Sequence, residues 1–340
     1  MERGTGYTHH STVQAQGFKD GEAKIKQAMA RNALLVDPSL EVIRVADLGC
    51  SHGSNAIHAV DFVAREIIEL RDLKLSSSSS SSLEIQAIFS DITANDFNTL
   101  FSLVPHLQGK PYFFSGVPGS FYLRLFPRSS IHFAMTTFAL HSLSKIPEEI
   151  TNKESPAWNK GTMYIDRSSP QAAIEAVVRQ AKEDLQNFLQ CRAQELVTGG
   201  LLVSKFLIRT TRDLEGPLHN GFQEAWKDLI QEGIISQESL DTFNFPVYFR
   251  SCHEVQDALD SVKEEFKVIH REVSKVQIPP RQPSDSMRAF KAISKPFIEQ
   301  HVGDEKIVEL MYSRSLSKEL RSRDLFSMLL VLEKKEFIVI

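Results

Sequence analysis

The stretch Asp47-Leu48-Gly49-Cys50-Ser51-x-Gly53-x-Asn55 ends a short apolar run and opens a helical one. A strand that stops in a tight glycine turn brings backbone N–H groups to the C-terminal edge of a sheet, where α/β proteins take up nucleotide-like ligands. Asp91 closes the next apolar run, Glu84–Phe89. An acid there either accepts hydrogen bonds from ribose hydroxyls or caps the helical segment Asn95–Leu103. Tyr112–Tyr122 is rich in Gly, Pro and aromatic residues and reads as a loop that presents rings, with Phe121 or Tyr122 either stacking on a base or packing at the core boundary. Thr136-Thr137-Phe138-Ala139-Leu140-His141-Ser142 follows the strand-like run Ser130–Met135 and lies on the same sheet edge as the glycine turn.

The turn is D-L-G-x-x-x-G and lacks the G-x-G-x-x-G pyrophosphate cradle of dinucleotide sites. Its glycines suit a thioether cofactor such as S-adenosylmethionine lying against the backbone, although a plain strand-to-helix turn has the same composition.

These residues need a frame. A helical pattern from Gly21 to Leu35 stops at Asp37-Pro38, and Glu41–Asp47 is the first strand. Ile57, Val60, Val63, Ala64, Ile67 and Leu70 make a helix face running to about Arg71. Ser168-Ser169-Pro170 starts a long helix with a serine cap, Gly199-Gly200 ends it, and Leu201–Ile208 is another strand. Helix and strand alternate, which predicts an α/β fold with a parallel sheet. Beyond Arg209 helical stretches dominate, at 221–232, 236–242, 253–260, 284–301, 303–312 and 315–322. Phe266–Ile278 reads as a strand among them, and Phe326–Leu332 as a closing one. The expected organisation is a cofactor-binding core over 1–208, a mainly helical lid over 209–320 inserted before the last strands, and a returning strand in 321–340.

Composition bounds the function. The chain has 340 residues, 42% of them hydrophobic and 24% charged, as in ordinary soluble domains. The net charge of −4 is spread without long single-sign runs, which argues against nucleic acid as a partner. No apolar run has the ~18 residues of a membrane span. Residues 1–16 are polar and have no periodicity, so a terminus without regular structure is the expectation, as is the absence of a signal peptide. Cys50, Cys191 and Cys252 cannot all pair and form no C-x-x-C, which points to the cytoplasm. Ser76–Ser82 is a serine run read as a solvated, flexible loop.

Together the motifs resemble the plant SABATH family of S-adenosylmethionine-dependent methyltransferases, whose members methylate small carboxylic acids and some ring nitrogens. The resemblance covers nearly the whole chain. Tyr7-x-x-x-Ser11-x-x-Gln14 has the spacing of the family's Y-x-x-x-S-x-x-Q, and 47–55 matches D-L-G-C-S-x-G-x-N. Asp91-Ile92 with Asn95-Asp96-Phe97-Asn98 is similar to D-L-x-x-N-D-F-N. Residues 117–127 are nearly identical to V-P-G-S-F-Y-x-R-L-F-P, and Asn159-Lys160-Gly161 and Asp241-x-Phe243-Asn244-x-Pro246 are similar to two further signatures.

The resemblance implies a Rossmann-like class I methyltransferase fold and assigns roles. Tyr7, Ser11, Asp47, Gly49, Cys50, Asn55, Asp91, Ile92, Ser120 and Phe121 would hold the cofactor. Gln14 would reach the acceptor from an arm folded over the ligand, which reverses the expectation of an unstructured terminus. Asn159, Asp241, the Phe243 carbonyl and Asn244 would supply oxygens to a structural Mg2+, the alternative being a turn network without metal. A homodimer is also implied. The family's S-S-Y-S-L-x-W-L-S is here Thr136–Ser144, and the tryptophan that grips the substrate carboxylate has become Ser142. His141 is left as the candidate replacement donor, or as a satisfied structural residue, and Trp226, Tyr248 and Phe249 as candidate pocket walls.

Methyl transfer to a carboxylate needs no general base, because an acid with a pKa of ~4 is already ionised at neutral pH. The absence of a Ser-His-Asp or paired-carboxylate signature agrees with this. The alternatives are an N-methyltransferase of a small heterocycle, a cofactor-binding protein without transferase activity, and a nicotinamide-dependent reductase, the last opposed by the missing G-x-G-x-x-G.

Overall fold

The computed structural model describes residues 12–74, 83–103, 109–211, 214, 220–277, 283–316, 318 and 324–336. The sheet strands are β1 (Val42–Leu48), β2 (Glu84–Asp91), β3 (Phe113–Pro118), β4 (Ile131–Thr137), β5 (Leu196–Arg209), β6 (Arg250–Ser251), β7 (Phe266–Lys275) and β8 (Phe326–Lys334). The helices are α1 (Thr12–Ala30), α2 (Ser54–Lys74), α3 (Phe97–Ser102), α4 (Gln171–Glu195), α5 (Asn220–Gln231), α6 (Gln237–Asp241), α7 (Cys252–Asp260), α8 (Pro283–Val302) and α9 (Glu305–Ser315). The strands run β3-β2-β1-β4-β5-β8-β7, with the short β6 pairing to β5. β1 to β6 pair in parallel, and β8 is antiparallel to both β5 and β7. Strand order reverses between β1 and β4, and the crevice at their C-terminal ends is where such sheets take ligands. Among the described residues no helix is long and apolar enough to cross a membrane.

Side-chain alternation explains the layering. Val45, Ala87, Phe89, Phe133, Met135, Leu201 and Val203 face α1 and α2, whereas Ala46, Leu48, Ile88, Ala134, Leu202 and Phe206 face α4 and α7. Both faces of the central strands are therefore covered, which is why β1 and β2 lack a polar alternate row. A separate apolar cluster joins α5, α8 and α9 around Phe222, Trp226, Phe290 and Met311, with Met163 and Tyr164 packed in.

Several local expectations change. α1 begins at Thr12, not Gly21, so Thr12–Gln16 is helical and not irregular. Gly17 and Gly21 had masked its periodicity. Residues 113–118 form the edge strand β3 and not a loop. An edge strand pairs on one side only and tolerates Pro118 at its end. The close Phe101 ring favours glycine at 116, where a Cβ would stand 3.0 Å from it. Pro170 is itself the N-cap of α4, and the Ser169 hydroxyl instead accepts from the Asp166 N–H. α4 passes directly into β5 at Leu196, so Gly199 and Gly200 lie within the strand, where Gly199 has φ +78° and the register to β4 shifts. β7 ends at Lys275, short of Ile278. The run Ser76–Ser82 and most of 315–322 lie outside the described residues.

Candidate active site

β1 delivers Asp47 and Leu48 to the sheet edge, and the chain then turns through Gly49 (φ +77°) and Ser51 (φ +57°) into α2. The Gly49 and Cys50 N–H groups both donate to the Ser90 carbonyl at the end of β2, at 2.8 and 3.1 Å. Gly49 is sterically fixed as well. A Cβ at this position would lie 2.6 Å from the Ala139 Cβ and 3.2 Å from the Phe121 ring.

Asp91 ties three segments together. Its carboxylate accepts from the Ser51 N–H at 2.6 Å and its own neighbour Ile92 N–H at 2.7 Å, and its carbonyl accepts from Gly119 N–H at 2.8 Å. The helix-capping alternative is excluded, because Asp96 caps α3 by accepting from Thr99 N–H. Burial raises the Asp91 carboxyl above its usual range, against the opposing pull of those two N–H bonds. Asp47 is 2% exposed, and one of its carboxylate oxygens has no partner. Burial, reinforced by the Asp91 charge, pushes its pKa up to about 8. The Cys50 thiol donates to Ser51 O at 3.3 Å and is held protonated by burial, so it is a packing group and not a nucleophile.

A cleft of 340 Å³ opens here, bordered by Asp47, Gly49, Cys50, Ser51 and Asn55 on one side and Thr137 and Phe138 on another. Its remaining wall is α1, through Ala15, Phe18, Lys19 and Glu22. That spacing is one helix face. Ala15, Phe18 and Lys19 precede the helix start that the sequence pattern predicts at Gly21, which hides this face from a sequence reading. His58 on α2 was also missed, although it follows Asn55 by one turn.

The Phe121 ring approaches the Gly49 turn and packs edge-on to Phe188 of α4 at 5.7 Å and to Tyr122 at 4.6 Å. Ile92, next to Asp91 in the sequence, is an apolar side chain left 49% exposed. Ser120 closes the turn, its hydroxyl accepting from Tyr122 N–H at 3.3 Å. Tyr7 and Ser11 lie outside the described residues, and Gln14 lies in the first turn of α1.

The end of β4 carries the residues expected to meet the acceptor. Phe138 adopts φ +56°, which is costly for a non-glycine residue, and its N–H donates to Lys205 O at 2.6 Å. His141 is partly exposed, but its Nδ1 is shielded and has no partner. Burial, with the Arg250 charge adding to it, lowers its pKa to about 4, so the ring is neutral near pH 7. The fully buried Arg250 guanidinium donates to the Leu140 and Ala181 carbonyls, fixing the segment from below. Ser142 is held by its backbone, with its carbonyl accepting from Tyr122 Oη and a bridge to Val247. Phe249 stands edge-on to His141 at 5.7 Å. Two suggested pocket walls are corrected. Trp226 is 0% exposed inside the helical layer, with Nε1 donating to Ser239 Oγ, and the buried Tyr248 hydroxyl is committed to Glu254 and Arg209.

The expected metal donors come together away from the cleft. Asn159 Nδ2 donates to Asn244 Oδ1 at 2.7 Å and to Tyr164 O at 2.9 Å, and Trp158 Nε1 donates to Asp241 O at 2.9 Å. Asp241 Oδ1 accepts from Gln237 at 2.7 Å. Asn159 Oδ1 is buried without a partner, an oxygen that a hard cation would satisfy. Among the described residues no group of three or more His, Cys, Asp or Glu is placed to hold a metal ion.

Comparison with known proteins identifies the family and its fold. A family model described as SAM dependent carboxyl methyltransferase matches residues 1–335. Indole-3-acetate O-methyltransferase 1 of Arabidopsis thaliana is 33% identical over 344 residues, covering 92% of this chain and 87% of that one. A 3,7-dimethylxanthine N-methyltransferase of Camellia sinensis is 32% identical over 338 residues, covering 92% and 89%. The solved structure of a loganic acid methyltransferase with SAH superposes with a TM-score of 0.84 at 31% identity, covering 97% of this chain and 96% of the other.

Proposed function

This chain belongs to the family of S-adenosylmethionine-dependent carboxyl methyltransferases, and from that premise we propose that it methylates the carboxylate of a small organic acid, giving the methyl ester and S-adenosylhomocysteine. The observation that carries the reading is the Asp91 carboxylate at the C-terminal end of β2, pinned by the Ser51 and Ile92 N–H groups beside the turn that follows β1. Its orientation suits a ribose diol, with Asp47, Gly49, Cys50 and Asn55 along the amino-acid half of the cofactor and Ile92, Ser120 and Phe121 at the adenine.

The displacement is in line: an acceptor oxygen attacks the sulfonium methyl, and the pair of electrons in the S–CH3 bond leaves with sulfur. The carboxylate is already ionised, so the protein's task is to align oxygen, carbon and sulfur and to exclude water. In this reading Gln14, His141 and Ser142 orient the acceptor, with Phe138 and Phe249 forming apolar walls. Tyr7 and Ser11 complete the cofactor enclosure from the arm, and the helical layer of α5, α6, α8 and α9 covers the acceptor side as a lid.

N-methylation of a heterocycle is the competing chemistry, and a ring N–H acceptor must lose a proton. With a pKa of about 4, His141 is a weak acceptor for it. At pH 7 it would hold a proton in roughly one molecule in a thousand. A carboxylate has no proton to lose, which favours the ester. A panel of carboxylic acids and N-heterocycles with methyl-labelled S-adenosylmethionine tests this. Label in base-labile esters is expected, and label confined to heterocycles, or in no product, overturns the reading.

Mg2+ at Asn159, Asp241, the Phe243 carbonyl and Asn244 belongs to the same proposal, supported by the unpartnered Asn159 Oδ1. Bound there, it would neutralise Asp241 and brace the junction between the 158–164 segment and α6, with no part in the methyl transfer. Melting with EDTA and then with added Mg2+ tests it, a rise with Mg2+ being expected. Homodimerisation and a cytoplasmic location complete the reading, and light scattering and fractionation test them.

A further inference from the structure

Arg192 and Glu195, in the last turn of α4, are both 1% exposed and joined by an Arg192 Nε to Glu195 Oε2 bond of 2.7 Å. A buried ion pair costs desolvation and is weak evidence of stabilisation by itself, so what its remaining polar atoms do is informative. Four hydrogen bonds run from them to the backbone of one loop, and the Arg124 side chain of that loop adds a looser ion pair to Glu195 Oε1, with its Nε at 3.8 Å. Arg192 donates to Phe121 O at 2.8 Å and to Leu123 O at 3.0 Å. Glu195 Oε1 accepts from Leu125 N–H at 2.6 Å and Phe126 N–H at 3.1 Å. The guanidinium also lies 5.4 Å from the Phe188 ring, the ring against which Phe121 packs edge-on. The same Phe121 ring reaches within 3.2 Å of where a Gly49 Cβ would be.

We propose that the Arg192–Glu195 pair is a positioning device for cofactor recognition: it sets the 121–126 loop so that Phe121 stands at a fixed distance from the Gly49 turn. The guanidinium fork suits this task because its planar donors fix two carbonyls at once, whereas an ammonium is a single point charge. Neither side chain touches the cofactor in this arrangement; both act through Phe121. The inference rests on the proposed placement of Phe121 at the adenine.

The test is calorimetry with S-adenosylhomocysteine on four proteins: wild type, Arg192→Lys, Phe121→Ala and the double variant. Arg192→Lys is expected to weaken binding by about tenfold, the loss of two charge-assisted bonds to a loop that then drifts. In the Phe121→Ala background the same substitution is expected to have no further effect, since the coupling runs through that ring. Equal losses in both backgrounds would overturn the proposal, as would a lowered melting temperature with unchanged affinity, which marks a pair that only stabilises the fold. If Phe121→Ala alone leaves affinity unchanged, the adenine placement itself falls. Should Arg192→Lys fail to fold, Glu195→Gln, which keeps the shape and removes the charge, is expected to shift affinity in the same direction by less, and no shift overturns the proposal.

Discussion

Gly17 of α1 lies directly against the ring of Phe138, so close that a Cβ on Gly17 would stand 2.4 Å from the ring's Cε2 and Cζ. The helix that walls the cleft and the chain just past β4 thus share one contact. Gly17→Ala is expected to push the Phe138 ring and α1 apart, at a stability cost of ~1–3 kcal/mol for overpacking. The acceptor KM is expected to rise more than the cofactor KM. Adding Phe138→Leu should restore part of the loss, and no restoration would show that the strain lies elsewhere.

Gly49→Ala faces two obstacles, φ +77° and the Ala139 Cβ at 2.6 Å. The expected result is loss of S-adenosylhomocysteine affinity by more than about tenfold, since a strained non-glycine residue in this region costs ~1–3 kcal/mol. Calorimetry reads it directly, and retained affinity would remove the turn from the cofactor site.

Asp47 gives the free protein a pH signature. Its native pKa, pushed up to about 8 first by burial and then by Asp91, stands above the unfolded value near 4. The native state therefore binds the extra proton between those values, and its contribution is full below ~4 and lost as pH rises to ~8. Melting temperature of the ligand-free protein is expected to fall across that window and to flatten in Asp47→Asn. Identical slopes for the two would contradict the buried protonated carboxyl.

His141 has the opposite displacement, with a native pKa of about 4 below the ordinary value. It stays neutral above pH ~6, so kcat/KM for an acid acceptor is expected to be flat from pH 6 to 8, without an inflection near 6.5. Replacing His141 by Phe should lower kcat/KM by roughly three- to tenfold, the worth of one hydrogen bond. An unchanged value would assign the orienting role to Gln14 and Ser142 alone.

Trp226→Ala is expected to act on stability, with a loss of ~3–5 kcal/mol for an emptied core position, and to leave the acceptor KM within about twofold at temperatures where the protein remains folded. A large KM change without a melting shift would return Trp226 to the pocket.

How much was legible from sequence follows from the kind of signal each feature leaves. Asp47, Gly49 and Asp91 stand in a contiguous strand-turn arrangement, and their types carry their geometry. α1 was half visible, because the glycines that let it approach Phe138 and Leu329 also interrupt its apolar stripe. β3 reads as a loop in the sequence because Gly116 and Pro118 are breakers in a central strand but not at a sheet edge. Trp226 and Phe249 share an aromatic character that says nothing of direction; only packing sends the first into the helical layer and the second toward His141. The Arg192–Glu195 pair had no signal at all, since an i, i+3 pair on a helix is ordinarily solvated.

The placement of β8 between β5 and β7 sets a timetable for the chain as it leaves the ribosome. Leu201–Ile208 and Phe266–Lys275 cannot be joined into one sheet until Phe326–Lys334 arrives. Every element that frames the cleft is synthesised before the strand that seals β5's open edge, so nascent chains hold that apolar edge unpaired for the last third of translation. Interposed strands of this kind give slow, non-local folding and leave intermediates that associate through their edges. Stalling synthesis before residue 326 is therefore expected to yield a chaperone-dependent, aggregation-prone species and not a partially active one.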